Sequence, residues 1–263
     1  MRFEKQIVCV TGASRGIGLA VAKAFAREGA TAVLTAREEA RLERERAGIA
    51  AAGGSAWCHP MDVTCGESVK AAVDAIHARF GRVDVLINNA GVAYQDYFVD
   101  CAMEKMRREF EVNCLGLMRV TQAFLPEMIR RRSGVIMNIS SLLGMAPFPT
   151  EASYSATKAA VLAFTQALRG EVSTYGIHVG VFLPGHTRTD MADGLRMTGG
   201  PSPVAVEVVA GAILDAVARK KKLATIPGPA ANMGLQMIRH FPGLSERMMT
   251  DIARQSMPAK ETE

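Results

Sequence analysis

Tyr154 precedes Lys158 by four positions in the stretch YSATK. On a helix that spacing puts a phenol and an ammonium on one face, so both can project toward a shared ligand. An unperturbed phenol titrates near pH ~10, too high for easy proton exchange at neutrality, and a neighbouring cation favours the phenolate and lowers that value. The same spacing also decorates ordinary amphipathic helices, so the pair needs support from elsewhere in the chain. A second chemical feature is TGASRGIG, residues 11–18. Gly12 permits a tight turn, Gly16 lets a ligand approach the backbone, and Gly18 lets a helix pack closely on a sheet. The free amides of a helix that starts there attract phosphate. A glycine turn between a strand and a helix is the context that a dinucleotide site demands.

The elements that must carry these residues are legible as short Val- and Ile-rich runs: QIVCVTG, ATAVLTAR, SAWCHPMDV, VDVLINNAG, GVIMNISS and IHVGVFLPG. Strands buried on both faces of a parallel sheet read this way, whereas half-exposed strands alternate apolar with polar. Helical length and composition recur at 15–28, 38–52, 66–80, 103–131, 152–175 and 204–219, several closed by glycine. The expectation is an α/β fold: a single Rossmann-like domain over 1–263, with a doubly wound parallel sheet flanked by helices on both faces. Ligands of such sheets bind beyond the carboxyl ends of the strands. Residues 189–205 carry adjacent glycines and two prolines and are expected to form a mobile substrate flap. KKKLATIPGP offers a last strand, and 228–263 is a C-terminal extension with a Met233, Met237, Phe241 stripe at helical spacing.

At 263 residues, with 49% hydrophobic and 22% charged, the composition is that of a globular protein. The net charge of +5 includes clusters at Arg130–Arg132 and Lys220–Lys222 that read as solvated faces, without a nucleic-acid motif. The five cysteines form no CxxC pair, and Cys58 beside His59 lacks a partner cluster at zinc-ligand spacing, so no metal is expected. A strand begins too early for a signal peptide, and no apolar run approaches the ~18 residues of a membrane span. A cytoplasmic location is expected.

The glycine spacing, with three residues between Gly12 and Gly16, resembles the short-chain dehydrogenase/reductase (SDR) family. So do Asp62–Val63, NNAG at 88–91, NISS at 138–141 with YSATK after it, and PGHTRT at 184–189, all in family order. The resemblance implies an oxidoreductase that interconverts a carbonyl and an alcohol by hydride transfer from a nicotinamide cofactor. It implies Ser141, Tyr154 and Lys158 as catalytic residues, with Asn113 linking the lysine to a proton relay through a water. Ser140 competes with Ser141, and the family spacing selects Ser141. Cofactor contacts implied are Gly12, Ser14, Arg15, Gly16, Ile17 and Gly18; Asp62 and Val63 at the adenine; Asn89, Ala90 and Gly91; Tyr154 and Lys158; and Pro184, Gly185, Thr187 and Thr189 near the nicotinamide. Ala36 stands where an acidic residue would bind a ribose 2′-hydroxyl, with Arg37 next to it and Arg15 in the turn, which favours NADP(H) over NAD(H).

Tyr94, Leu143, Met145, Phe148, His186, Met191 and Leu195 are expected around the substrate. This largely apolar set suits a lipophilic ketone or aldehyde. A 3-oxoacyl-thioester reductase of fatty acid or polyketide type is the alternative, and a non-catalytic NADP(H)-binding regulator would be expected to have lost Ser141, Tyr154 or Lys158. The C-terminus lacks the DGG-like stretch of the family's tetramers, so a homodimer is favoured over a tetramer. For the extension a dimer contact, a lid and a weakly membrane-associating segment stay open.

Overall fold

The computed structural model of the chain describes residues 1–193 and 202–226, together with Gly243, Glu246, Arg247, Thr250 and Asp251. Seven strands form one sheet: β1 (Ile7–Thr11), β2 (Thr31–Ala36), β3 (Ser55–Pro60), β4 (Val85–Asn88), β5 (Gly134–Ile139), β6 (Ile177–Pro184) and β7 (Leu223–Ile226). All pairings are parallel, in the order β3-β2-β1-β4-β5-β6-β7. Every residue of β1 and of β4 is buried, which is why both segments read as continuous apolar runs.

Side chains alternate between two cores. Val8 and Val10 of β1 pack with Leu34, Ile87, Met137 and Phe182 against α1 (Gly16–Arg27), α2 (Glu39–Ala51) and α8 (Val206–Ala218). Cys9 joins Val33, Leu86, Ile136 and Val179 against α3 (Gly66–Phe80), α5 (Leu117–Arg131) and α6 (Ala152–Val172). The sheet is therefore covered on both faces, as the βαβ pattern predicts. Among the described residues no helix is long and apolar enough to cross a membrane.

The segment expected as one helix over 103–131 is helical throughout but not uniform. It comprises α4 (Met103–Phe110), a widened π turn (Glu111–Gly116) and α5, and Pro126 lies inside α5. The π turn buries Val112, Asn113 and Cys114 in succession. The helix expected to 175 ends at Val172 and tightens into a 3-10 turn. Of the flap, Asp190–Asp193 form the short helix α7 and Val204 bridges Thr187. Residues 194–201 lie outside the described residues, as does the extension apart from the five positions named.

Strand order reverses between β1 and β4, and the two strand ends are tied together there. Thr11 Oγ1 accepts the amides of Asn89 and Ala90, both at 3.0 Å, and Asn89 Nδ2 donates to the carbonyls of Thr11 (3.0 Å) and Gly12 (3.2 Å). Gly12 has φ +65°, and a Cβ on it would fall 2.9 Å from the Ala90 Cα. A Cβ on Gly18 would collide with the Asn89 amide and the Gly12 carbonyl. Gly18→Ala is expected to destabilise the protein by about 1–3 kcal/mol in chemical denaturation, the cost of overpacking a site that cannot give.

Candidate active site

A cleft runs along the carboxyl ends of the strands. Gly12, Ser14, Arg15, Gly16 and Ile17 form one wall, with Arg37, Glu38 and Arg41 beside them. Asp62 and Val63 follow β3, and Asn89, Ala90 and Gly91 follow β4. At the other end lie Ile139, Ser140, Tyr154, Lys158, Pro184, Thr189, Asp190 and Met191.

The outer end is rich in guanidinium groups. Arg41 Nε donates to the Ser14 carbonyl at 3.0 Å, which fixes this side chain against the glycine turn. Asp190 at the start of α7 sits 3.3 Å from Arg15 and 3.9 Å from Arg41. Arg108 of α4 also borders the cleft. Burial would raise the Asp62 carboxyl; the Thr64 amide (2.9 Å) and hydroxyl (2.7 Å), with Arg108 and Arg37 nearby, outweigh it and hold the carboxyl below its usual range. Arg41 and Arg108 were not legible as site residues. Arg41 lies four positions after Arg37, a helical spacing that offered a signal, whereas Arg108 comes from a remote helix and offered none.

At the inner end β5 stops at Ile139, and the two serines that follow part company. Ser140 Oγ donates to the Lys158 carbonyl at 2.7 Å. Ser141 Oγ accepts the Leu143 amide at 3.1 Å and hydrogen-bonds the Tyr154 phenol. The fold thus turns Ser141, not its neighbour, toward the tyrosine. Lys158 is 5% exposed; its Nζ donates to the Ile139 carbonyl at 3.1 Å and lies 5.5 Å from the centre of the Tyr154 ring.

Electrostatics at this end differ from the expectation drawn from spacing. The Tyr154 phenol is pushed above its ordinary value, by burial first and by Glu151 and Glu109 next, against the Ser141 hydrogen bond. Desolvation disfavours the phenolate, and Lys158 is not among the groups that act on the phenol in this arrangement. Burial likewise lowers Lys158 to about 8, with Cys114 and Glu109 opposing. Glu151, three residues before the tyrosine, is 2% exposed and is raised to about 7 by burial and by Glu109.

Asn113 is fully buried in the π turn. Its Nδ2 donates to the Val92 carbonyl (2.9 Å) and Thr157 Oγ1 (3.1 Å), and its Oδ1 accepts the Val92 amide at 2.8 Å. The side chain is therefore held by protein partners, and its connection to Lys158 runs past Gly91, whose Cβ would lie 3.2 Å from Asn113 Oδ1 and 3.6 Å from Lys158 Nζ.

Of the remaining expected contacts, Gly18, Gly185 and Thr187 do not border the cleft; Thr187 is buried and its hydroxyl donates to the Gly185 carbonyl at 2.8 Å. Met191 does border it, but Tyr94, Leu143, Met145, Phe148 and His186 do not. Phe148 is only 4% exposed, and Met145 packs on the Ala146, Val181 and Leu183 cluster, so both support the wall from behind. Leu195 lies outside the described residues. No three His, Cys, Asp or Glu side chains cluster as metal ligands among the described residues.

Comparison with known proteins agrees with this geometry. The short chain dehydrogenase family model matches residues 6–199. The chain belongs to the short-chain dehydrogenase/reductase family. It is similar to dehydrogenase/reductase SDR family member 7B of Danio rerio, 35% identical over 98% of this chain and 89% of the relative. Among solved structures it resembles a variant of actinorhodin polyketide ketoreductase with NADPH, at TM-score 0.80 and 30% identity over 87% of this chain and 98% of that one. An SDR from Burkholderia phymatum in complex with NAD shares the fold at TM-score 0.84 and 23% identity, covering 100% of this chain and 99% of that one. This SDR oxidoreductase has a cleft that fits a nicotinamide dinucleotide. A Cβ on Gly16 would reach within 3.5 Å of the Thr189 methyl, another cleft residue, and the guanidinium groups at the outer end match phosphate.

The Glu151 carboxyl gives a stability signature. A carboxyl raised from its ordinary 4.5 to about 7 contributes stability that is complete below the unfolded value and is lost as pH rises through about 7. Relative to Glu151→Gln, the wild type is expected to lose several degrees of Tm between about pH 5 and about pH 8, measured by thermal melts of both proteins.

Proposed function

We propose that the protein is an NADP(H)-dependent oxidoreductase that interconverts a lipophilic ketone or aldehyde and its alcohol, with Tyr154 as general acid and base. The observation that carries this reading is that the Tyr154 phenol and the buried Lys158 ammonium line one end of a dinucleotide cleft, with Ser141, not itself in the lining, bonded to the phenol. In the reducing direction Ser141 hydrogen-bonds the substrate carbonyl oxygen and Tyr154 gives that oxygen its proton. NADPH, when bound, supplies the hydride to the carbonyl carbon. Lys158 stabilises the phenolate left behind, and Asn113 fixes the Val92 backbone beside it. Oxidation is the reverse. Retention of Ser141, Tyr154 and Lys158 disfavours a non-catalytic regulator.

Preference for NADP(H) is supported by Arg15, Arg37, Arg41 and Arg108 around the outer end, with Ala36 where a carboxylate would bind a 2′-hydroxyl. Glu38, exposed in the same wall, is the group that opposes it. A second reading, reduction of 3-oxoacyl thioesters, is favoured by the likeness to the polyketide ketoreductase. The free state of all five cysteines suits a reducing cytoplasm. A homodimer is supported by a largely apolar groove between α5 and α6, where Leu115, Met118, Leu125, Phe164 and Leu168 stand beside Arg119, Thr121 and Gln122 and Leu115 is 49% exposed.

A panel of ketones, aldehydes, steroids and 3-oxoacyl thioesters assayed with NADPH and NADH tests the substrate class. Turnover confined to small charged keto acids would count against a lipophilic carbonyl. Tyr154→Phe is expected to lower kcat by about a hundredfold or more while NADPH affinity, measured by fluorescence titration, changes little. Arg37→Asp is expected to lower the NADPH/NADH ratio of kcat/KM at least about tenfold, the equivalent of one hydrogen bond to a charged group.

A further inference from the structure

Two buried carboxyl groups stand behind Tyr154, and the mechanism above uses neither. Glu109, in the last turn of α4, has no exposed surface; its Oε1 accepts the Tyr94 amide at 2.8 Å, Ser153 also hydrogen-bonds it, and its Oε2 has no partner. Glu151 is nearly as deeply buried, immediately before α6 and one helical turn ahead of Tyr154. The loop after β4 ties them together: Glu109 holds the Tyr94 amide, and the Asp96 amide donates at 2.9 Å to the carbonyl of Thr150, the residue before Glu151; both carboxyls act on the phenol.

Neither glutamate has a salt-bridge partner among the described residues. Lys105, one turn before Glu109 on α4, is committed to Asp96 at 2.7 Å, and Arg108 faces Thr64 and Asp62 instead. Lys158 of α6 is the buried cation that acts on Glu109 and is itself lowered by burial. Asp96 adds a further negative charge on the loop side, and Cys101 and Cys114 complete the ionisable groups around Glu109 and Lys158. One buried cation cannot match two carboxylates in a dry site, so one carboxyl retains a proton.

We propose that Glu109 and Glu151 work as one carboxyl pair that holds a single proton behind the Tyr154 phenol, and that release of this proton weakens Tyr154 as a proton donor. The idea rests on Tyr154 acting as the general acid. With the pair singly protonated, one negative charge faces the phenol. Once the proton leaves to solvent two do, and the phenolate that proton donation must create is disfavoured. Reduction should therefore fall on the order of tenfold as pH rises through the pair's titration, for one unit of change in the phenol.

The test has two arms. Carbon-13 NMR of Glu carboxyl groups, in wild type, Glu109→Gln and Glu151→Gln, reads the pair directly and needs no substrate; the amide oxygen introduced by Glu109→Gln remains an acceptor for the Tyr94 amide. One wild-type carboxyl is expected to titrate near pH ~7, and the survivor in either variant to titrate about one unit lower or more. Two wild-type carboxyls titrating in the ordinary range, or a survivor that does not move, overturns the pair. Should either variant fail to fold, the wild-type titration still decides whether one carboxyl keeps its proton to neutrality. The second arm follows kcat/KM against pH with NADPH and a ketone that the wild type reduces. Loss of the limb near neutrality in both variants supports the proposal; a rate lowered equally at every pH marks a structural role and overturns it. Full activity in Tyr154→Phe, or no carbonyl reduced by the wild type, would instead remove the functional reading, and the NMR arm would still report on the pair.

Discussion

The seam between Thr11–Gly12 and Asn89–Ala90 is the constraint on which the rest of the site depends. In a doubly wound sheet the crevice opens where strand order reverses, because the connections on either side leave in opposite directions. Here that point is closed at its base by four hydrogen bonds between the β1 and β4 ends. The approach is so close that side chains larger than hydrogen at Gly12 and Gly18 have nowhere to go. One short contact thus fixes the glycine turn, the start of α1 and the floor of the cleft together.

From that floor, a line of buried polar side chains leads to the end of the cleft that holds Tyr154 and Lys158. Asn88 bonds Thr121 and Asn138, and Asn138 bonds Thr165 of α6. Farther along α6, Thr157 bonds Asn113 and the Lys158 backbone receives Ser140. The helix that carries the phenol and the ammonium therefore meets the sheet through hydrogen bonds as well as apolar contacts. Such directional contacts allow one rotation and one register of α6, which apolar packing alone specifies less sharply. Burial that achieves this also drives the ionisable groups of the site away from their ordinary values.

Much of the architecture was legible because its causes are local. Strands buried on both faces must read as apolar runs, and a turn pressed against a neighbouring backbone must use glycine, so β1, β2, β4, β5, β6 and TGASRGIG could be located from residue types alone, whereas the edge strands β3 and β7 are less buried. What escaped depends on distance in the chain. Arg108 reaches the cleft from α4, and Glu109 and Glu151 sit in polar stretches that give no hint of burial. The direction of the Tyr154 shift escaped for the same reason: spacing suggests an effect of Lys158, but desolvation, which dominates, follows from everything packed around the ring. Phe148 and Met145 look like pocket residues as apolar neighbours of Ser141, yet their side chains turn into the protein.

The way Lys158 is held has a consequence for how the two ends of the cleft respond to solution conditions. Its ammonium and its carbonyl are both anchored to the end of β5 by uncharged partners, the Ile139 carbonyl and the Ser140 hydroxyl. The outer arginines, in contrast, meet Asp190 through exposed ion pairs at 3.3 and 3.9 Å. Mobile ions screen exposed charges within about 10 Å at 0.1 M and barely penetrate to buried ones. Ionic strength therefore acts on the arginine-rich end of the cleft and spares the end that holds Tyr154 and Lys158, so that the two ends can be tuned independently.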